Sequence, residues 1–319
     1  MDAHVPQRAA MAGLRMDGPQ ARPAALPLYA LLAVAAPILL ALGLAQQWGW
    51  RALVHPEPVS SVIDLQPISA ASAQELAELF ARHHYDWPPT QAVPALSLQA
   101  FPTDLAAQPV EEKKALFFQS LLPLVLAENQ RLLDKRAWLE GLRGHSLETE
   151  DEVRLQALIE RYRIDARLAG DEAIEVLLQH VDKVPIAMVL AQAANESGWG
   201  SSRFVLQANN LFGEWTWRAE EGIAPLVRNS ESRHYVRRFD SLADSVRAYI
   251  YNITVGHAYG ELRAMRAAMR AQGRQSFDSV VLANGLERYS IRGEEYVTEI
   301  QQMIRGNRLQ QLGPLQLEP

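Results

Sequence analysis

The sequence predicts a mainly α protein, with a helical body interrupted by one small β-hairpin lobe and preceded by a single transmembrane helix. Three observations predict it. From residue 110 onward, apolar residues recur at spacings of three and four with charges between them, the pattern of helices that each bury one face. The pattern breaks over a Trp-, Gly- and Asn-rich stretch from 199 to 238, whose short pieces, such as RHYVRRF, suit a β-hairpin or an irregular loop. Residues 26–45 carry no charge, and about 20 apolar residues are what a bilayer core of roughly 30 Å requires.

Taken in order, residues 1–25 are rich in Ala, Pro, Arg and Gly and are expected to be a disordered tail. Residues 26–45 are expected to be a signal-anchor. Pro37 is tolerated in a membrane helix, and Trp48 and Trp50 suit the interface. Arg8, Arg15 and Arg22 before the span favour a cytoplasmic N-terminus. A cleaved signal peptide is the alternative, and either reading exports everything after residue 50. Residues 46–109 hold many prolines and read as a stalk with one short helix near 72–83. His83 and His84, being adjacent, do not share a helix face, so they are read as an exposed helix end rather than a metal site.

Residues 110–180 predict a long helix with Pro123 as a candidate kink, then helices at 148–162 and 171–180. Their apolar faces need cover, so the region is expected to pack on the domain that follows, residues 181–312. There Pro185 opens a helix running to Gly198. The sequence from Ser241 to Asp244 is a capping box with Asp in place of Glu, and later helices fit 259–271, 277–284 and 294–305.

The chain has 319 residues and a formal net charge of -6, without a dense Lys/Arg cluster. A basic nucleic-acid footprint and a Gly-rich phosphate loop are both missing from the sequence. There is no cysteine, which excludes thiol nucleophiles, disulfides and Cys-ligated zinc. His180, His234 and His257 have no ligand-like spacing. No metal and no cofactor are expected.

The chemistry points to QAANESGWGSSRFVLQANNLFG at 192–213. Glu196 ends an apolar helix. Partial desolvation there raises a carboxyl pKa and keeps the group able to donate a proton to a glycosidic oxygen. Gly198 and Gly200 permit a sharp turn, and Trp199 offers a flat face of the kind sugars stack on. Trp215, Trp217 and Tyr235 read equally as a sugar platform or as the core of the β-lobe. Arg233, Arg237 and Arg238 read as a strand's solvent face, with contact to acidic peptide stems as the alternative.

The segment resembles the signature of glucosaminidase domains of glycoside hydrolase family 73, in the lysozyme superfamily. The matching residues are Gln192, Ala193, Glu196, Ser197, Gly198, Trp199, Gly200 and Ser202, then Asn210, Leu211, Phe212 and Gly213. The stretches SVRAYIYNITVGHAYGELRAMR, LANGLERYSIRGEEYVTEI and, upstream, FPTDLAAQPVEEKKALFFQSLLPLVLAENQRLL extend the likeness over about residues 100–307, toward a Bax-type branch. The resemblance implies a lysozyme-like helical lobe facing a small β-lobe across a groove. It implies hydrolysis of the β-1,4 bond between N-acetylglucosamine and N-acetylmuramic acid in peptidoglycan, with Glu196 as general acid. It implies that Trp199, Asn210, Phe212, Gly213 and Trp215 shape or line the substrate groove, and that Tyr289 lines the site while Tyr296 is a core residue. With the N-terminal span, it places the protein in a bacterial inner membrane with a periplasmic catalytic domain.

Glycoside hydrolysis usually takes a second carboxylate. Glu214, Glu220, Glu221, Glu231 and Asp240 are candidates, with Glu231 first because it precedes the strand-like SRHYVRRF, and each alone also reads as a solvated charge. Two other functions stay open: a non-catalytic wall-binding or scaffold protein, and a lytic transglycosylase.

Overall fold

The structure, a computed structural model, describes residues 63–90, 92–225 and 234–318. The expected tail and anchor, 1–25 and 26–45, lie outside the described residues. Among the described residues, no helix is long and apolar enough to cross a membrane.

Strand β1 (Gln66–Ile68), helix α1 (Ala73–Arg82), and strands β2 (Val93–Pro94) and β3 (Leu96–Leu98) come first. The long helix α2 (Val110–Leu142) follows, then α3 (Thr149–Tyr162), α4 (Gly170–His180), α5 (Ile186–Ser197) and α6 (Arg203–Ala208). Strands β4 (Trp215–Thr216), β5 (Gly222–Ile223) and β6 (Tyr235–Arg237) form a small antiparallel sheet with β6 in the middle. The chain ends with α7 (Leu242–Val255), α8 (Gly260–Ala271), α9 (Ser279–Leu282), α10 (Glu294–Gly306) and β7 (Leu317–Glu318).

The middle of α2 explains the rest of the packing. Every residue from 116 to 129 is buried, and a helix apolar on all sides must be surrounded. α5 and α7 lie against it, as do α4 and β3. Its N-terminus carries Glu111 and Glu112 in the first turn, matching the helix dipole. The helix runs through Pro123 unbroken, with the proline inside the buried stretch.

The stalk expected over residues 46–109 is corrected for the part described. Ile68, Leu76, Phe80, Val93, Leu98, Phe101 and Leu105 are all in the main core. β1 pairs in parallel with β3, Gln66 opposite Leu96 and Ile68 opposite Leu98, and β2 pairs with β7 at the far end of the chain. Prolines that suggest an extended spacer here sit beside large apolar side chains, and burying those side chains decides the outcome. The short helix is where the sequence places it, with Ser72 as its N-cap accepting from the Glu75 N–H.

Two further elements show how side chains end helices. Ser241 Oγ accepts from the Asp244 N–H at 3.1 Å and donates to the Asp244 carboxylate at 2.7 Å, so Ser241 caps the helix while Asp244 closes on its hydroxyl instead of on the backbone N–H of a full capping box. Arg266 is wholly buried and donates to the carbonyls of Gln179, His180, Asp182 and Lys183. One guanidinium thus satisfies the orphan acceptors at the end of α4. The helix expected at 277–284 is shorter: α9 passes into a 3-10 turn over Ala283–Tyr289.

Candidate active site

α5 begins after Pro185 and ends at Gly198, which takes a left-handed conformation. Trp199 and Gly200 follow with φ of 61° and 76°. Three such residues in succession turn the chain sharply, and Ser197 holds the turn from inside. Its hydroxyl donates to the Ala193 carbonyl at 2.5 Å and accepts from the Gly200 N–H at 2.9 Å. Gly200 is needed for space as well, because a Cβ there would lie 3.1 Å from the Phe101 ring. The signature turn is therefore built against the segment read as a stalk.

Glu196 sits on the last turn of α5, half-buried. Tyr296, on the first turns of α10, donates its hydroxyl to Glu196 Oε1 at 2.8 Å. The Tyr296 oxygen in turn accepts from Gln192 Nε2 at 2.9 Å, and the Gln192 carbonyl accepts from the Tyr249 hydroxyl. Each donor is committed, so the Tyr296 proton points at Oε1 and a proton carried by Glu196 belongs on Oε2. Burial raises the pKa of Glu196, opposed first by the hydrogen bonds from Tyr296 and Asn195 and then by Arg292, while Glu299 adds to the rise. Burial wins, and the carboxyl is biased toward the proton-donating form.

Tyr289 stacks on Tyr296 with centroids 5.2 Å apart and planes 8° apart. Its hydroxyl donates to the Phe212 carbonyl at 3.2 Å. It ties the Asn-Leu-Phe-Gly turn to the surroundings of Glu196. The Phe212 ring stacks on Tyr249 at 3.9 Å. Asn210 Nδ2 donates to the carbonyls of Glu214 and Arg237, and its Oδ1 accepts from the Glu214 N–H. Asn210 thus joins the turn to β6. Gly213 has a φ of 70°, which only glycine adopts without strain.

Other expectations change. Trp199 meets Phe117 and Phe118 edge-on at 5.7 and 5.3 Å, with the Lys114 ammonium over its ring at 5.5 Å. Its ring packs on α2 while the residue stays partly exposed. In the small sheet the buried residues are Thr216 and Val236, while Trp215, Trp217 and Tyr235 stay half-exposed. They are not the lobe's core, and the Trp215 ring meets His234 edge-on at 4.2 Å. Arg237, read as solvent-facing, is instead tucked in, 3.5 Å from Glu214 Oε2 and stacked 4.2 Å from the Phe239 ring.

Of the candidate second carboxylates, Glu231 lies outside the described residues. Glu220 and Asp240 are exposed, and Glu221 pairs with Arg218. Glu214 is buried, with burial pushing its pKa up to about 7 against the pull of Arg237. Its Oε1 has no hydrogen-bond partner among the described residues. The hydrogen-bonding roles of Gln192, Tyr249 and Tyr296 are missed by sequence reasoning, although Gln192 belongs to the signature. A tyrosine on an apolar helix face reads as core, and Tyr296 is only 1% exposed; it is core and site at once. No cluster able to hold a metal occurs among the described residues.

Residues 172–309 match the glucosaminidase family model, described as mannosyl-glycoprotein endo-beta-N-acetylglucosaminidase. The match starts in α4 and contains Glu196, the Asn-Leu-Phe-Gly turn, Tyr289 and Tyr296. It supports a glycoside hydrolase of glucosaminidase type. The chain is also similar to Protein bax of Escherichia coli (strain K12), 29% identical over 199 residues that cover 61% of this chain and 70% of that protein. No solved structure matches.

Proposed function

We propose that the protein hydrolyses peptidoglycan at the β-1,4 bond between N-acetylglucosamine and N-acetylmuramic acid, as a family 73-type enzyme with Glu196 as general acid. The observation that carries this reading is the partly desolvated Glu196 held through Oε1 by Tyr296. Protonated on Oε2, Glu196 gives its proton to the glycosidic oxygen as the bond breaks, and the resulting carboxylate keeps the Tyr296 hydrogen bond. Water adds to the anomeric carbon and leaves a reducing N-acetylglucosamine end. Glu231 is the proposed second carboxylate from its place before β6. The half-exposed Trp215, with Trp217 and Tyr235, is the proposed sugar-contacting surface of the β-lobe. The uncharged run at 26–45 supports a single-pass anchor in a bacterial inner membrane, with the catalytic domain on the periplasmic side.

The test incubates the purified full chain, in detergent, with isolated peptidoglycan and identifies new sugar ends by mass spectrometry, with Glu196→Gln in parallel. Reducing N-acetylglucosamine ends that vanish in the variant support the proposal. Anhydro ends would assign lytic cleavage instead. Bound glycan with no soluble fragments from either protein would favour a wall-binding or scaffold role.

A further inference from the structure

We infer that Arg292 is a specificity residue of this same site, receiving a carboxylate carried by the glycan beside the bond to be cut. The inference rests on the glycan-cleaving reading above and narrows its substrate to strands with acidic substituents.

Arg292 lies just before α10, with its guanidinium 5.7 Å from the centroid of the Tyr296 ring. Tyr296 is the residue that donates to Glu196. Arg292 is therefore one side chain away from the acid, and it acts on Glu196 through its charge, drawing the pKa down. A cation placed there works against the protonated acid, so proton donation alone gives no reason for it. It is not there to be buried either, since its side chain is 46% exposed. Its ion-pair partner, Glu299, is itself 39% exposed. A guanidinium has five N–H donors in a planar fork suited to carboxylates, and an exposed partner exchanges for another at small cost. An uncharged N-acetylhexosamine chain offers this fork only neutral acceptors, weaker than a carboxylate. A strand carrying lactyl or peptide carboxylates offers the stronger acceptor, and on binding it also neutralises the charge that opposes protonation of Glu196. Glu196 is thereby held more fully in its protonated form when the right substrate is in place.

The test measures binding in the Glu196→Gln background, so that turnover does not intervene. The ligands are soluble glycan strands with stem peptides and an uncharged chito-oligosaccharide of similar length, each at low and high salt. Adding Arg292→Gln is expected to weaken binding of the acidic strand roughly 5- to 10-fold at low salt and to leave the neutral one unchanged. Arg292→Lys retains part of the effect, and Glu299→Gln, which frees the guanidinium, tightens the acidic strand alone. Equal weakening of both ligands by Arg292→Gln, or no response to Glu299→Gln, overturns the assignment while leaving the hydrolase reading intact. Binding of neither glycan by the Glu196→Gln protein itself removes the hydrolase reading, and this one with it.

Discussion

The hydroxyl of Tyr296 donates to Oε1 of Glu196 at 2.8 Å, joining the ends of two helices that are 100 residues apart in sequence. The contact favours the carboxylate form of Glu196, while burial favours the protonated form and prevails in direction. In the proposed reaction Glu196 is thus an acid before proton transfer and a stabilised carboxylate after it.

Removing that hydroxyl separates the two effects. In Tyr296→Phe the anion loses a donor, so the pKa of Glu196 rises further, and the basic limb of the pH–rate profile moves to higher pH. At neutral pH the rate falls about 10-fold or more, the worth of one hydrogen bond to a charged group. A basic limb that stays in place or moves down would show that Tyr296 does not act on the acid.

Glu214 makes the fold sensitive to alkali. Its pKa in the fold, about 7, lies above the ordinary 4.5 because of burial. Between those two values the folded chain holds a proton that the unfolded chain has released. Stability is therefore full below pH 4.5 and declines as pH rises through about 7, by up to about 3 kcal/mol. Glu214→Gln flattens that decline in thermal denaturation measured from pH 4 to 8; an unchanged slope would assign the loss to other groups.

His180 works in the opposite sense over nearly the same pH window. Burial, and then the charge of Arg263, hold its pKa near 4, although the Thr254 carbonyl hydrogen-bonded at 2.8 Å favours the protonated ring. Here the unfolded chain takes up the proton first. Stability present above pH 6.5 is lost as pH falls toward 4, again by up to about 3 kcal/mol. The acid limb of the same denaturation series becomes shallower in His180→Gln if this histidine is responsible.

Phe101 tests whether the segment before α2 belongs to the fold. It is 5% exposed and stacks on Phe117 at 5.4 Å. Phe101→Ala is expected to cost about 3–5 kcal/mol in chemical denaturation, with Trp199 fluorescence shifting because the turn at Gly200 rests on the same ring. A cost near zero is what a stalk residue would give.

The helices and their caps were legible in the sequence because they are local. A spacing of three and four marks the buried face of α2, α5 and α10, and Ser241 with Asp244 marks the start of α7, within a few residues of chain. The sharp turn after Glu196 was legible for a related reason: Gly198 and Gly200 lie within two residues of one another, and glycine permits the left-handed backbone found there. What surrounds the acid was not. Gln192, Tyr249 and Tyr296 meet only when α5, α7 and α10 pack, and nothing local marks an apolar-face tyrosine as a donor. Packing likewise set Trp199 against α2 and drew the described part of the segment before α2 onto the body of the protein, against a proline content that suggested a spacer. Arg237 reads as a surface charge from alternation along β6, yet it lies 3.5 Å from a buried Glu214. Periodicity reports which face of an element is apolar, whereas partners distant in sequence are chosen by burial and hydrogen-bond satisfaction, which only the assembled tertiary structure decides.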